Sequence, residues 1–143
     1  MISLTKDKEL KGYKSLTVYP EVAHFVTTRH GGVSEGTYGS FNCSPYTKDS
    51  CINVNCNQNK LFQITGHQIK ELVIPEQKHG SASLVVDESF FKESLEVRRT
   101  LLRGIDALIT NVPGYCVCVT TADRVPGGCR SRRLERHGAA YCQ

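Results

Sequence analysis

No apolar run in the 143-residue sequence approaches the length of a membrane span, so no membrane role is expected. The opening segment, Met1 to Leu16, carries six lysines or acids and no apolar core, which does not fit a signal peptide. The seven cysteines are odd in number, and no two stand at C-x-x-C spacing. Neither a zinc knuckle nor a redox motif is therefore indicated. Cys116 and Cys118 alternate inside an apolar run and, on a strand, point to one face. The cysteines are expected to be small buried hydrophobes in a reducing cytoplasm, not a disulfide framework. Internal repeats and low-complexity stretches are also lacking.

What is there suits one soluble domain with a hydrophobic core, and is too short for two ordinary ones. Hydrophobic residues make up 39% and charged residues 22%, within the usual globular range. The formal charge is +4, from 18 Lys and Arg against 14 Asp and Glu. Its location matters more than its size. Arg124, Arg130, Arg132, Arg133 and Arg136 face Glu135 alone in residues 124–143. The first 123 residues hold 13 basic and 13 acidic groups, so the excess belongs to the tail. Without interleaved aromatics, the tail is a generic electrostatic patch and no nucleic-acid partner is expected.

Residues 15–28 read as two β segments broken at Pro20, the second alternating Val22, His24 and Val26 against Ala23, Phe25 and Thr27. Residues 29–47 form a Gly-rich loop with aromatic anchors at Tyr38, Phe41 and Tyr46. A helix is expected over 53–66, with Val54, Leu61, Phe62 and Ile64 on its buried side. Strands are expected at Glu71 to Ile74, Ala82 to Val86, Ala107 to Thr110 and Tyr115 to Thr120. The last two flank an Asn111-Val112-Pro113-Gly114 turn. Glu88 to Arg103 reads as a helix or loop-helix with Leu95, Leu101 and Leu102 inward. Strands and helices mix without regular βαβ spacing, which predicts an α+β fold in a single mixed-sheet domain.

Three segments carry the chemistry. They are Thr27-Thr28-Arg29-His30-Gly31-Gly32-Val33-Ser34 with Gly36, Tyr38, Ser40, Phe41 and Asn42; Gln77-Lys78-His79-Gly80; and Asp106-Ala107-Leu108-Ile109-Thr110 followed by Thr121-Ala122-Asp123. In this order, from about His24 to Asp123, the set resembles the YfiH/YlmD family, also called the laccase-domain or polyphenol-oxidase family. The resemblance implies an α+β domain longer than this chain. It also implies a cytoplasmic enzyme that phosphorolyses adenosine, inosine, guanosine and methylthioadenosine and deaminates adenosine. Purine nucleosides and phosphate would be its partners.

The resemblance implies one zinc, held by a His of Q-x-H-G, a Cys of T-A-D-C and a His of H-A-G-W-R-G. Two imidazoles and a thiolate leave tetrahedral zinc an open position for phosphate or water. His79 matches the first ligand, and so is the candidate metal and catalytic residue. Arg29 and Asn42 lie in the Gly-rich loop as candidates to face the substrate. A loop salt bridge is the alternative for Arg29.

The pattern breaks after Asp123, where Arg124 stands in place of the Cys. A guanidinium is permanently cationic and does not ligate zinc. Residues 1–123 then read as the N-terminal part of a YfiH-like domain, incomplete at its C-terminus, and 124–143 as a non-family basic tail. Ser131 to Gly138 can be written TCA CGC CGG CTG GAG AGG CAC GGG. One nucleotide later this reads His-Ala-Gly-Trp-Arg-Gly-Thr, the missing motif. A frameshift, with a short deletion beside it, is the expected origin of the tail. A genuine divergent tail is the alternative. The chain is expected to be impaired in zinc binding and catalysis, and to leave sheet edges and core surface unpaired. Other readings are a non-catalytic fragment or small binding protein, and a copper-dependent polyphenol oxidase (laccase). Against copper, the five histidines His24, His30, His67, His79 and His137 are scattered.

Overall fold

A parallel strand pair with a different apolar cluster on each face organises the chain. The computed structural model describes residues 1–121 and the backbone of Tyr141–Cys142. The expectations for Ala122, Asp123, Arg124 and His137 lie outside the described residues. Strands β1 (Ile2–Ser3), β2 (Leu10–Gly12) and β3 (Val26–Thr27) form an antiparallel sheet in that order. A Gly-rich loop containing one 3-10 turn, Gly36–Tyr38, leads to helix α1 (Cys51–Ile64) and strand β4 (Glu71–Val73). Then come β5 (Ser83–Val85), α2 (Glu88–Lys92), α3 (Leu95–Leu101), β6 (Ala107–Ile109), β7 (Tyr115–Cys118) and β8 (Tyr141–Cys142). β4 pairs parallel with β7 and β7 with β8, while β5 pairs parallel with β6. The mixed helix and strand content is the α+β fold expected.

The period of two along a strand divides the core. Val73 and Val117 are register partners and pack with Val86, Phe90, Leu102 and Leu108. Leu72, Ile74, Cys116 and Cys118 belong to the other cluster, with Leu10, Phe25, Phe41 and Leu61. β4 and β7 thus separate the α2 side from the α1 side. On β5 and β6, Leu84 and Leu108 face inward as register partners. The next pair, Val85 and Ile109, is exposed.

Several expectations need correction. Residues 13–22 form successive turns and 23–25 join no sheet: Leu16, Tyr19 and Val22 donate to the carbonyls of Tyr13, Leu16 and Tyr19. Local bonding satisfies that backbone, and Pro20 has no N–H to offer a ladder. Only Val26–Thr27 joins the sheet. The 88–103 segment is two helices, because Glu93 is extended between them. Asp87 caps α2 and Ser94 caps α3. The break resets the helical phase, so Phe90 and Leu102 are buried while Leu95 and Leu101 are 67% and 40% exposed. In α1, Val54 and Leu61 are buried and Phe62 and Ile64 half-buried. Of the loop aromatics Phe41 is buried, whereas Tyr46 is exposed.

The thiols divide by environment. Cys116 and Cys118 are buried on one face, their sulfurs 3.7 Å apart. Cys43 packs against this cluster. Burial, reinforced by Cys116, pushes its thiol up to about 12. Cys51 and Cys56 are exposed, contrary to the expectation of buried cysteines. Since the thiolate is the reactive form, iodoacetamide at pH 8 is expected to label Cys51 and Cys56 roughly tenfold or more faster than Cys43, Cys116 or Cys118. Peptide mass mapping over time measures this, and early labelling of Cys43 would contradict the burial described.

Candidate functional site

The loop that follows β3 is tied to the strand end before it crosses the molecule. The Thr28 amide donates to the Glu9 carbonyl at 2.7 Å, and the Thr28 hydroxyl to the Lys8 carbonyl at 2.7 Å. Ser40 then closes the loop on itself. Its hydroxyl donates to the Arg29 carbonyl at 2.6 Å and accepts from the Gly32 amide at 3.0 Å. A Cβ on Gly32 would lie 2.0 Å from the Ser40 carbonyl oxygen, so this approach needs glycine.

Asn57, in the interior of α1 and 0% exposed, holds the loop from beneath. Its side-chain oxygen accepts from the Val33 amide at 2.9 Å. Its amide nitrogen lies 2.9 Å from the Ser34 hydroxyl, 3.1 Å from the Ser40 carbonyl and 2.8 Å from the Asn42 carbonyl. Ser34 donates onward to Asp49 at 2.6 Å, and Asn42 to the same carboxylate at 3.0 Å. These bonds, the Ser34 one first, hold the Asp49 carboxyl below its usual value. Their contribution is present above an unfolded carboxyl's ~3.9 and is lost as pH falls through the lower folded value.

The loop walls a cavity of about 660 Å³ whose other sides come from Leu72, Ile74, Cys118, Thr120, Thr121 and His79. Arg29, Asn42 and His79, distant in sequence, all line it. Arg29 is exposed. Among the described residues the ion pairs are Arg98 with Glu71 and Arg103 with Glu76, and Arg29 pairs with no acid among them. Asn42 is more committed. Its side-chain nitrogen donates to Thr47 at 2.8 Å and to Asp49, and its oxygen accepts from the Ser44 amide at 3.1 Å. One oxygen lone pair remains for a ligand.

His79 is exposed, on a turn whose leading end is fixed by Gln77. The Gln77 side-chain oxygen accepts from the Thr120 amide at 2.6 Å and its hydroxyl at 2.8 Å. His79 also borders a smaller cavity of about 320 Å³ beside Tyr46, Glu76 and Gln77. A separate, largely apolar cavity of about 520 Å³ lies near Leu4, Pro20, Phe25 and Ile69 and holds none of these residues.

Among the described residues the donors around His79 do not make a zinc site. Among the described residues no three His, Cys, Asp or Glu side chains gather closely enough to hold a metal. Cys43 and Cys118 line the same cavity. However, Cys43 packs against the buried core cluster, and the Cys118 sulfur donates to the Cys116 carbonyl at 3.4 Å.

Asn57 and Gln77 are the supports that sequence reasoning missed. A signal for the first existed: Asn53, Asn55, Asn57 and Asn59 are four weak helix formers inside one helix. Replacing Asn57 by Ala strands buried polar groups of the loop. This is expected to destabilise the fold by about 2–4 kcal/mol, with amides 33–42 exchanging faster than those of β7. Thermal unfolding and hydrogen exchange measure both effects. An unchanged melting temperature would remove Asn57 from this role.

Comparison with known proteins places these features in a family. A purine nucleoside phosphorylase of Bacteroides thetaiotaomicron is 49% identical over 126 residues, covering 88% of this chain and 47% of that protein. An adenosine deaminase, RL5, from an unknown prokaryote is 32% identical over 105 residues, covering 73% of this chain and 40% of that one. The chain therefore spans less than half the length of these relatives. The crystal structure of YlmD from Geobacillus stearothermophilus superposes with a TM-score of 0.56 at 27% identity, over 68% of this chain and 36% of YlmD. Residues 23–132 match the family described as multi-copper polyphenol oxidoreductase laccase, and this chain belongs to that laccase-domain family.

Proposed function

We propose that the chain is a purine nucleoside phosphorylase-type laccase domain whose substrate wall is built but whose catalytic set is incomplete. One observation carries this reading: Arg29, Asn42 and His79 line a single cavity in a chain 49% identical to a relative named for that activity. The exposed Arg29 guanidinium suits a phosphate oxygen, which it can grip with paired N–H groups. The free lone pair of Asn42 suits a ribose hydroxyl. Adenosine, inosine, guanosine and methylthioadenosine are the substrates this class of site takes, with adenosine deamination beside phosphorolysis. Cytoplasmic residence accompanies that substrate pool. No helix among the described residues is long and apolar enough to cross a membrane.

His79 is the imidazole that would ligate zinc in such a site and the group nearest the chemistry. Arg124 stands where the second ligand, a thiolate, is needed. The second histidine motif does not occur in the sequence, though codons for residues 131–138 can be chosen that encode it one nucleotide later. One ligand does not hold a catalytic metal in place. Incubation of the purified chain with inosine and phosphate is therefore expected to release no hypoxanthine. Turnover that a chelator abolishes and zinc restores would overturn this. Copper phenol oxidation rests on the matched family's description alone, and His24, His30, His67 and His79 are scattered along the sequence.

The tail belongs to the same reading. Translation out of frame accounts together for the lost Cys, the hidden His-Ala-Gly-Trp-Arg-Gly and the confinement of the +4 charge to residues 124–143. The nucleotide sequence of the gene decides it. The codons of Ser131 to Gly138 are expected to encode that motif one nucleotide later. Codons incompatible with it would make the tail a genuine divergent end.

A further inference from the structure

We propose that Asp106 is the positioning residue of His79: its carboxylate fixes the Gln77–Gly80 turn in the backbone conformation that sets the imidazole at the cavity. The functional weight of this inference rests on the reading of His79 given above, but its geometry does not. Three successive amides converge on one side chain. Lys78 and His79 donate to one carboxylate oxygen of Asp106 at 3.2 and 2.7 Å, and Gly80 donates to the other at 2.8 Å. Consecutive N–H groups pointing inward form a concavity that attracts an anion. Here the anion is supplied by the chain itself, 26 to 28 residues away in sequence.

The turn needs such a hold. His79 has φ +58°, a left-handed conformation that residues with a Cβ adopt reluctantly. With the amides released, the turn would relax and carry the ring away. Glycine at the next position fits the same arrangement, because a Cβ on Gly80 would lie 3.3 Å from the Asp106 oxygen. Asp106 is itself set by the sheet. Its amide donates to the Ala82 carbonyl at 2.9 Å, just before the Ser83–Ala107 register pair of β5 and β6. Among the described residues Asp106 is in neither ion pair, so its charge faces the turn amides. The displacement would matter because His79 borders both the 660 and the 320 Å³ cavities.

The test uses the full chain labelled with 13C-histidine and 15N, with the His79 ring signal assigned through His79→Gln. In Asp106→Ala, the His79 ring signal is expected to shift, and amides 78–80 to exchange about tenfold faster or more. His24, whose ring accepts from the Tyr13 amide at 2.9 Å in the N-terminal sheet region, is expected to stay in place as the internal control. Asp106→Asn keeps an acceptor for Lys78 and His79 and loses the one for Gly80, so a smaller shift centred on Gly80 is expected. An unmoved His79 signal in Asp106→Ala overturns the proposal. If that variant unfolds, moving His24 as well, Asp106→Asn decides: unchanged 78–80 amides overturn the proposal. Titrating the wild-type chain with inosine and inorganic phosphate separates the two readings. A His79 signal that ignores both probes yet moves in Asp106→Ala would sink the functional reading and leave the positioning role standing.

Discussion

The hydrogen bonds of one buried amide, that of Asn57, decide where the Gly-rich loop lies. A loop crossing a core carries backbone polar groups that water no longer reaches, and each needs a partner. Asn57 is suited to that task because one amide both donates and accepts. It takes the Val33 N–H and serves Ser34, Ser40 and Asn42, so loop positions up to nine residues apart close around one point. The cavity wall, including the placement of Asn42 and the backbone behind Arg29, depends on that closure. Helix α1 thus acts less as an amphipathic cover than as a carrier for this side chain.

Parts of this architecture that follow from pattern alone were legible in the sequence. β4, β5, β6 and β7 fall on the short apolar runs expected, β4 stopping before Pro75 and β6 and β7 flanking the 111–114 turn, and α1 lies within two residues of its expected bounds at each end. The failures share a cause, which is local bonding that competes with periodicity. The turns at 13–22 satisfy their own backbone, so the alternation of Val22, His24 and Val26 never becomes a full strand. The extended Glu93 resets the phase between α2 and α3, so Leu95 and Leu101 emerge exposed. A continuous helical template does not carry either kind of information.

The site shows the same division. Arg29, Asn42 and His79 were legible as candidates because unusual residue types sit in Gly-rich or Gly-flanked segments. Their supports were not legible as such: Gln77 and Asp106 stood inside the conspicuous segments, but their roles and that of Asn57 run across long sequence separations, largely to backbone groups, which leave no trace in side-chain pattern. Asn42 shows the cost of reading type alone. As a residue it looks free to bind a ligand, whereas in the fold its amide donors are committed to Thr47 and Asp49.

The two supports of the cavity differ in kind, and the difference bears on how each wall behaves. Asn57 is neutral and fully buried, so its bonds gain from a low dielectric and are little affected by salt or ordinary pH. Asp106 is charged and only half-buried, so its hold on the His79 turn is a charge-assisted contact near water, stronger per bond but open to screening. The loop wall carrying Asn42 is therefore held by bonds that salt hardly reaches, and the His79 turn by bonds that salt weakens. Both walls lie within residues 27–121 and border one cavity, so the two kinds of support act on the same space.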